Sequence, residues 1–358
     1  MKRTIYVLLL VVLSMSIANA KKTPKNEVLK GSYLVECIAF YNLENLFDTI
    51  HDEGKNDYEY LPDGGMKWDG VKYNYKIKNM AYAVSRLGED VTPGGPACIG
   101  VAEVENLRCL QDLADEVNAK YNRNYIPILL EGPDRRGVDV GFLYNPDKFK
   151  PVSIKGHELK AHYADGGVVK TRLQLLVSGY LHGEKLHIIV NHWPSRYGGE
   201  LSSRPTRDTA AMLTRQICDS IYLKEPSAKI IIMGDLNDDP DNHSCKDVLE
   251  AKLKREDATP QGFYNCFWQI LKSGTGTLAY NGGWNLFDQI IINGNLANTP
   301  DRKHWSYWKA EVFNKPFLTY QEGKDKGTPR RTLKAGVWDF GGYGDHYPTM
   351  IYLVREKK

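Results

Sequence analysis

The feature that most constrains the fold is an apolar run ending in a polar cluster, Ala228–Pro240, with the sequence A-K-I-I-I-M-G-D-L-N-D-D-P. Its continuous apolar core, Ile230–Met233, is typical of a β-strand buried on both faces. Side chains two residues apart on an extended chain point the same way, so Asp235 and Asn237 are predicted to project together beyond the strand. A carboxylate beside a carboxamide suits proton transfer and stabilisation of an oxyanion. The alternative interpretation is a polar turn without chemistry.

The same arrangement recurs along the chain, where apolar strand-like segments lead to or begin at chemically active side chains. A single Glu or His of this kind usually has an ordinary explanation as a turn, cap or surface residue, so only the recurrence is informative. Strand-like and helical segments alternate throughout, which favours one α/β domain with mixed sheets. The residues at these positions are Asn42, Glu103, His192, Asp235, Asn237, Asp288, Asp345 and His346.

The N-terminus has the layout of a secretory signal peptide. Lys2 and Arg3 precede an apolar segment, and small residues end the stretch at Ala20. The apolar segment is much shorter than the roughly 20 residues of a membrane-spanning helix, although a membrane anchor remains the competing interpretation. We therefore expect a signal peptide over 1–20, a polar lead-in over 21–32 and the domain over 33–358, in a secreted or periplasmic protein.

Composition excludes several classes of protein. A hydrophobic content of 42% with 25% charged residues describes an ordinary globular protein. The net charge of +3 gives no argument for a polyanionic partner, so that argument depends on local patches. The six cysteines lack C-x-x-C spacing, which argues against structural zinc. Export permits disulfides, with Cys245–Cys266 as the first candidate pair, whereas Cys37 and Cys98 are predicted to be buried thiols.

Six motifs in order resemble the endonuclease/exonuclease/phosphatase superfamily, which includes deoxyribonuclease I, exonuclease III, bacterial sphingomyelinases and inositol polyphosphate 5-phosphatases. The resemblance runs from about Tyr33 to Val354 and implies a four-layer α-β-β-α sandwich with two mixed β-sheets face to face. The usual Ser before the final Asp-His is Gly344 here. The motifs are F-Y-N ending at Asn42, V-A-E-V around Glu103, N-H-W-P-S-R from Asn191, M-G-D-L-N ending at Asn237, F-D-Q-I-I around Asp288 and G-D-H-Y-P-T from Gly344.

The resemblance also implies a metal site. Glu103 would be the principal ligand of a divalent cation, with Asn42 and Asp345 nearby. Mg²⁺ is the expected ion, with Mn²⁺ or Ca²⁺ as alternatives, because these hard cations favour oxygen ligands.

Catalytic roles are implied for five further positions. His346, oriented by Asp288, would act on the phosphate and on the attacking water. Asp235 would orient or deprotonate that water, or handle protonation of the leaving group, and Asn237 would stabilise the transition state. His192 would be a second imidazole facing the phosphate.

Two further assignments follow from the resemblance. Arg172 would contact the substrate phosphate, and Asp139 would orient His192.

Electrostatics supports a cation at this site independently. Four carboxylates in one cleft would repel by roughly 4 kcal/mol per close pair at an effective dielectric of about 20. A divalent cation would relieve this repulsion and stabilise charge on a phosphodiester as water attacks. A metal-free acid–base hydrolase remains the alternative.

The segment Asn293–Gly344 is predicted to be a long loop, and its part Asp301–Lys334 is basic and aromatic. That part contains nine Lys or Arg against four Asp or Glu, interleaved with six aromatic residues. Such a segment suits a nucleic-acid strand, although the aromatics would also suit a small packed core. We therefore expect a monomeric, secreted, metal-dependent nuclease without an obligate protein partner. The alternatives are a sphingomyelinase-type or inositol-phosphate-type phosphoesterase, and an inactive binding module.

Overall fold

The computed structural model describes residues 32–163, 165–280, 282–334 and 336–357. The expected signal peptide over 1–20 lies outside the described residues. The strands are β1 (Tyr33–Leu46), β2 (Cys98–Val104), β3 (Ile126–Leu129), β4 (Asp139–Tyr144), β5 (Phe149–His157), β6 (Gln174–Leu181), β7 (Glu184–His192), β8 (Ile230–Asp235), β9 (Phe263–Asn265), β10 (Leu278–Tyr280), β11 (Gly283–Asn285), β12 (Asp288–Asn293), β13 (Ser306–Val312), β14 (Leu333–Lys334), β15 (Val337–Trp338) and β16 (Thr349–Glu356). The helices are α1 (Gly70–Arg86), α2 (Leu107–Tyr121), α3 (Glu200–Tyr222), α4 (Trp268–Lys272) and α5 (Gly294–Ala297).

Twelve of these strands form two six-stranded sheets. The first sheet has the order β13-β16-β1-β2-β4-β3, and the second has the order β5-β6-β7-β8-β12-β9. In each sheet one central pair is parallel, β1 with β2 and β7 with β8, and the other pairs are antiparallel. Both sheets are therefore mixed, as expected. The strands β10-β11 and β14-β15 form two separate hairpins.

The two sheets pack face to face. A Cβ on Gly100 of the first sheet would lie 2.5 Å from the Met233 sulfur of the second, so the glycine permits this close approach. Apolar residues of both sheets form one continuous core, which extends to the inward faces of α1 and α2 through Met80 and Leu113. A second core joins the outer face of β8, through Ile232, to α3. The result is the predicted four-layer α-β-β-α sandwich.

The prediction of a loop over Asn293–Gly344 is wrong. This segment contains α5, β13, β14 and β15, and β13 forms the edge of the first sheet against β16. The register of that pair shifts between Tyr307 and Lys309, which interrupts the alternation that reveals a strand in sequence. Trp305, Tyr307 and Phe313 are buried in the larger hydrophobic core, so the alternative of packed aromatic residues is correct for these three.

The six cysteines are all described, and all are free and buried. The candidate pair is therefore not joined. Cys245 belongs to the core under α3, whereas Cys266 belongs to the core between the sheets, so the two thiols lie on different faces of the second sheet. Cys37 and Cys98 are buried thiols, as predicted. Among the described residues, none of the helices combines the length and the apolar character needed to cross a membrane.

Candidate active site

Sheet register brings three of the predicted site residues into one row. Asp235 ends β8 and lies opposite His192 in the parallel pair with β7, and opposite Asp288 in the antiparallel pair with β12. Gly234 permits this close pairing, since a Cβ there would lie 2.2 Å from the carbonyl oxygen of Asn191. All three side chains of the row are buried. At one end of its central strands, the second sheet therefore presents an imidazole and two carboxylates.

Two hydrogen bonds tie this row to the first sheet. Asn42 of β1 donates from Nδ2 to Oδ2 of Asp235 at 3.0 Å. His346, which precedes β16, donates from Nδ1 to Oδ2 of Asp288 at 2.7 Å. The site is thus built across the junction of the two sheets, and both sheets must pack correctly to form it.

Glu103 of β2 approaches the row from the first sheet. Its Oε1 lies 3.9 Å from Nε2 of His192, and the same nitrogen lies 3.6 Å from Oδ2 of Asp235. Its Oε2 accepts a hydrogen bond from the backbone N–H of Asn45 at 2.9 Å. Glu103 and Asn237 have φ values of +60° and +50°, which non-glycine residues rarely adopt. Such backbone strain clusters at functional sites.

The two histidines differ in protonation. Burial lowers the pKa of His192 well below its usual value, and the cations Arg172 and Arg136 act in the same direction. Burial also acts to lower the pKa of His346, but the carboxylates of Asp288 and Asp345 outweigh it and hold the pKa well above its usual value. At neutral pH the site therefore combines a neutral imidazole with an imidazolium.

Asp235 has a pKa suited to proton transfer. Burial raises its pKa to about 7 against the opposing charge of His346, and the carboxylates of Asp288 and Glu103 add to the rise. Its Oδ1 accepts a hydrogen bond from the backbone N–H of Asn237 at 3.0 Å, which fixes the orientation of the carboxyl group. A general base is most effective when its pKa lies near the working pH.

Asp345 lies beside His346 but outside the group around Glu103. Its Oδ1 is 3.9 Å from Nε2 of His346, and its Oδ2 accepts from Nη2 of Arg331 at 2.5 Å. Burial acts to raise its pKa, but His346 and Arg331 hold the pKa below the usual value. Asp345 is therefore a carboxylate at neutral pH.

Arg172 and Asp139 lie at the side of the site near His192. Arg172 donates to Oδ2 of Asp134 and to the carbonyl oxygen of Trp193, each at 3.2 Å, and its buried Nε has no partner among the described residues. Oδ2 of Asp139 and Nδ1 of His192 are also buried without a hydrogen-bond partner among the described residues. Within the described residues, no hydrogen bond joins Asp139 to His192.

Sequence reasoning missed a buried ion pair behind Asn42. Glu44 lies 3.3 Å from Nζ of Lys76, which is 0% exposed on α1, and it also accepts from the backbone N–H of Thr332 at 2.8 Å. Arg331 approaches the same carboxylate at 3.7 Å. Glu44 follows Asn42 by two residues in one strand, so the two-residue period was a signal that could have identified it. No such signal marks Lys76 or Arg331.

The residues fit a divalent cation. Ligand atoms of Glu103, His192 and Asp235 lie within 4.8 Å of one another. Glu103 and Asp235 offer the oxygen ligands that hard cations prefer. A second group with ligand atoms this close is formed by Asp235, Asp288 and His346.

Two clefts have adjacent residues in their walls, His346 in the first and Asp345 in the second. The first cleft, of about 520 Å³, contains His346, His192, Asp235, Asn237, Glu103 and Arg172 in its wall, together with Arg135, Arg136 and Lys170. The second cleft, of about 430 Å³, begins at Asp345 and continues along β10-β11 and residues 320–334. Seven of the predicted site residues therefore line one of the two clefts, whereas Asn42 and Asp288 line neither.

Over most of its length the chain matches a known protein family. The sequence profile of the endonuclease/exonuclease/phosphatase family matches residues 37–355, nearly the whole described chain. The chain belongs to this family. Its members are generally phosphoric ester hydrolases that depend on divalent metals, and the acidic cluster offers ligands for one. A search of curated proteins found no match.

Solved structures share the fold at low sequence identity. A family protein from Bacteroides thetaiotaomicron is 15% identical with a TM-score of 0.57, covering 91% of this chain and 100% of that one. A Bacteroides thetaiotaomicron mannosyl-6-phosphatase is 16% identical with a TM-score of 0.55, covering 89% and 99%. D. rerio TDP2, complexed with a single-strand DNA product, is 15% identical with a TM-score of 0.53, covering 89% and 98%. At these identities the likeness concerns the fold alone.

Proposed function

We propose that the protein is a divalent-metal-dependent nuclease that hydrolyses phosphodiester bonds by in-line attack of water. The observation that carries the substrate class is that two clefts lie beside the Asp345–His346 pair, with His346 in the wall of the first and Asp345 in the wall of the second. A phosphodiester has a substituent on each side of phosphorus, and two clefts accommodate both. A phosphomonoester needs only one.

In this proposal Glu103 is the principal metal ligand, with Asn42 and Asp345 nearby. The preferred ion is Mg²⁺, with Mn²⁺ or Ca²⁺ as substitutes. When bound, the ion supplies positive charge to a phosphate oxygen and lowers the barrier to attack by water.

The protein's own side chains transfer the proton and orient the phosphate. Asp235, with its pKa raised to about 7, accepts the proton of the attacking water. His346, held by Asp288, donates a hydrogen bond from Nε2 to a phosphate oxygen. Asn237 donates from Nδ2 to the carbonyl oxygen of Trp193 at 3.0 Å, which leaves its second N–H for the developing charge.

The neutral His192 faces the phosphate from the other side of Asp235. Arg172, already oriented by Asp134, supplies positive charge to the wall of the first cleft. We also propose that the protein is exported, since residues 1–20 have the layout of a signal peptide.

A phosphatase acting on a small phosphorylated molecule is the second candidate. The first cleft favours it, because Arg135, Arg136 and Lys170 surround a space large enough for a phosphorylated sugar or inositol. The related structure of a mannosyl-6-phosphatase has the same fold.

A substrate panel distinguishes the two candidates. The purified protein with Mg²⁺ is assayed against plasmid, single-stranded DNA, RNA, sphingomyelin, mannose 6-phosphate and inositol phosphates, with His346→Ala as the site control. We expect cleavage of a nucleic acid that His346→Ala abolishes. Phosphate release from the small molecules with nucleic acids left intact would overturn the proposal.

A further inference from the structure

The second cleft contains exposed aromatic residues directly beside the reacting centre. Its wall includes Tyr280 and Trp284 on the β10-β11 hairpin, Tyr320, and Asp345 of the active site. An isolated β-bridge pairs Leu278 of the hairpin with His346, so the hairpin and the active site are directly connected. Tyr280 is 67% exposed and Trp284 is 41% exposed, although large aromatic side chains are usually more deeply buried.

Trp284 is held in place from behind. Its ring stacks on Tyr347, with centroids 6.0 Å apart and an angle of 16° between the planes. Gly276 packs beside it so closely that a Cβ there would lie 3.0 Å from Cβ and Cε3 of Trp284. Trp284 is thus supported by Tyr347 and Gly276 while part of its surface remains exposed. A ligand that stacks on it would need little further ordering of the side chain.

The charges in this cleft favour a phosphorylated ligand. Arg331 is paired with Asp345, and Lys334 is paired with Asp325. Lys324, also in the wall, is exposed and has no ion-pair partner among the described residues. The cleft therefore combines an ordered aromatic ring with one unpaired cation, the combination that binds a nucleotide through its base and its phosphate.

We propose that the second cleft binds the base of the nucleotide next to the scissile phosphate, stacked on Trp284, with Tyr280 beside it and Lys324 near the following phosphate. This inference rests on the proposed nuclease function and adds a binding subsite to it. Stacking tolerates any base, so the subsite predicts little sequence preference.

The test is a binding measurement on the full chain in EDTA, which prevents cleavage. A fluorescently labelled tetrathymidylate is titrated with protein, and the dissociation constant is read from anisotropy. We expect Trp284→Ala to raise the dissociation constant about 5- to 100-fold, and Trp284→Phe to restore most of the affinity, because stacking on one base has about this effect. The matched control is Tyr180→Ala, an exposed aromatic at the opposite end of the second sheet.

Two further ligands identify what the cleft recognises. An abasic tetramer of the same charge is expected to bind the unsubstituted protein more weakly and to be insensitive to Trp284→Ala. Mannose 6-phosphate is expected not to displace tetrathymidylate. Unchanged affinity in Trp284→Ala, equal binding of the abasic tetramer, or displacement by mannose 6-phosphate would each overturn the subsite.

Adding Mg²⁺ separates this inference from the proposed function. Binding that depends on Trp284 without cleavage of any nucleic acid would support the subsite and contradict the nuclease. Cleavage with equal efficiency by the parent and Trp284→Ala, together with unchanged binding, would support the nuclease and contradict the subsite.

Discussion

His192 and His346 both line the first cleft, but their pKa values are shifted in opposite directions. His346 is bonded to Asp288 and lies near Asp345, which raises its pKa. His192 is buried near Arg172 and Arg136, and its pKa is lowered. The row of the second sheet places Asp235 between the two environments. Histidine therefore supplies a charged donor beside Asp288, which is His346, and a neutral group on the other side of Asp235, which is His192.

The largest loss of activity is expected from removing the charged histidine, His346. His346→Ala should lower kcat for phosphodiester hydrolysis by about 10³- to 10⁴-fold, because a charged donor to the phosphate is lost. Steady-state kinetics with saturating Mg²⁺ measures this. His243→Ala is the control, since that exposed histidine pairs with Asp208. A loss below tenfold with the fold intact would remove His346 from the mechanism.

A smaller loss is expected from His192→Ala. The neutral imidazole offers one uncharged hydrogen bond, and losing such a donor typically lowers kcat by about 10²-fold. Thermal unfolding checks that the buried position tolerates the change. A loss equal to that of His346→Ala would contradict the proposed difference between the two histidines.

Asp288→Asn should shift the protonation of His346 directly, since the Asp288 carboxylate is hydrogen-bonded to His346. Removing the paired carboxylate should lower the pKa of His346, because the opposite charge that favours its protonated form is lost. ¹⁵N NMR of the imidazoles in metal-free protein follows both residues across pH. Identical titration of His346 in the parent and Asp288→Asn would show that Asp288 does not set its charge.

Asp139→Asn tests the surroundings of His192 through stability. Burial raises the pKa of Asp139 to about 7, so the folded state binds its proton more tightly than the unfolded state does. The free energy of unfolding of the parent should therefore fall as pH rises from about 4 to 7. The variant lacks this part of the fall, with a difference of at least about 1 kcal/mol, the value of one pKa unit. Denaturant unfolding at pH 5 and pH 8 measures it, and parallel profiles would contradict the prediction.

The smallest effect is expected at Gly344, next to the Asp345–His346 pair. A Cβ at this position would lie 3.4 Å from the hydroxyl of Tyr41, which is buried without a partner among the described residues. Gly344→Ser should therefore exceed Gly344→Ala in stability by about 1 kcal/mol, the contribution of one hydrogen bond. Equal midpoints of urea unfolding for the two variants would show that the hydroxyl finds no partner.

The sequence pointed to the candidate site residues of this row because the ends of buried strands are recognisable in it. Asp235 follows an uninterrupted apolar run. Once β7, β8 and β12 are neighbours, the register of their pairing places His192 and Asp288 opposite Asp235. Tertiary packing decides which strands are neighbours, and the periodicity of the sequence gives no information about that packing. The family resemblance supplied that order.

Other features could not be predicted, for identifiable physical reasons. The bulge at Tyr307 hides β13 from a two-residue pattern. Lys76 is buried because its amine reaches Glu44, Thr332 and the carbonyl oxygen of Tyr343, partners up to 267 residues away in sequence. Trp284 lies on a strand of three residues, too short for any periodic signal.

The most direct test of the account is the dependence of phosphodiester cleavage on Mg²⁺ in the parent protein and in Glu103→Gln. Glu103→Gln keeps the size of the side chain and its ability to accept the hydrogen bond from Asn45, but removes the charge. We predict no cleavage in EDTA, saturable activation of the parent by Mg²⁺, and a requirement for at least about tenfold more Mg²⁺ in Glu103→Gln. Cleavage in EDTA at the same rate as with Mg²⁺, or identical Mg²⁺ dependence in the two proteins, would contradict the account.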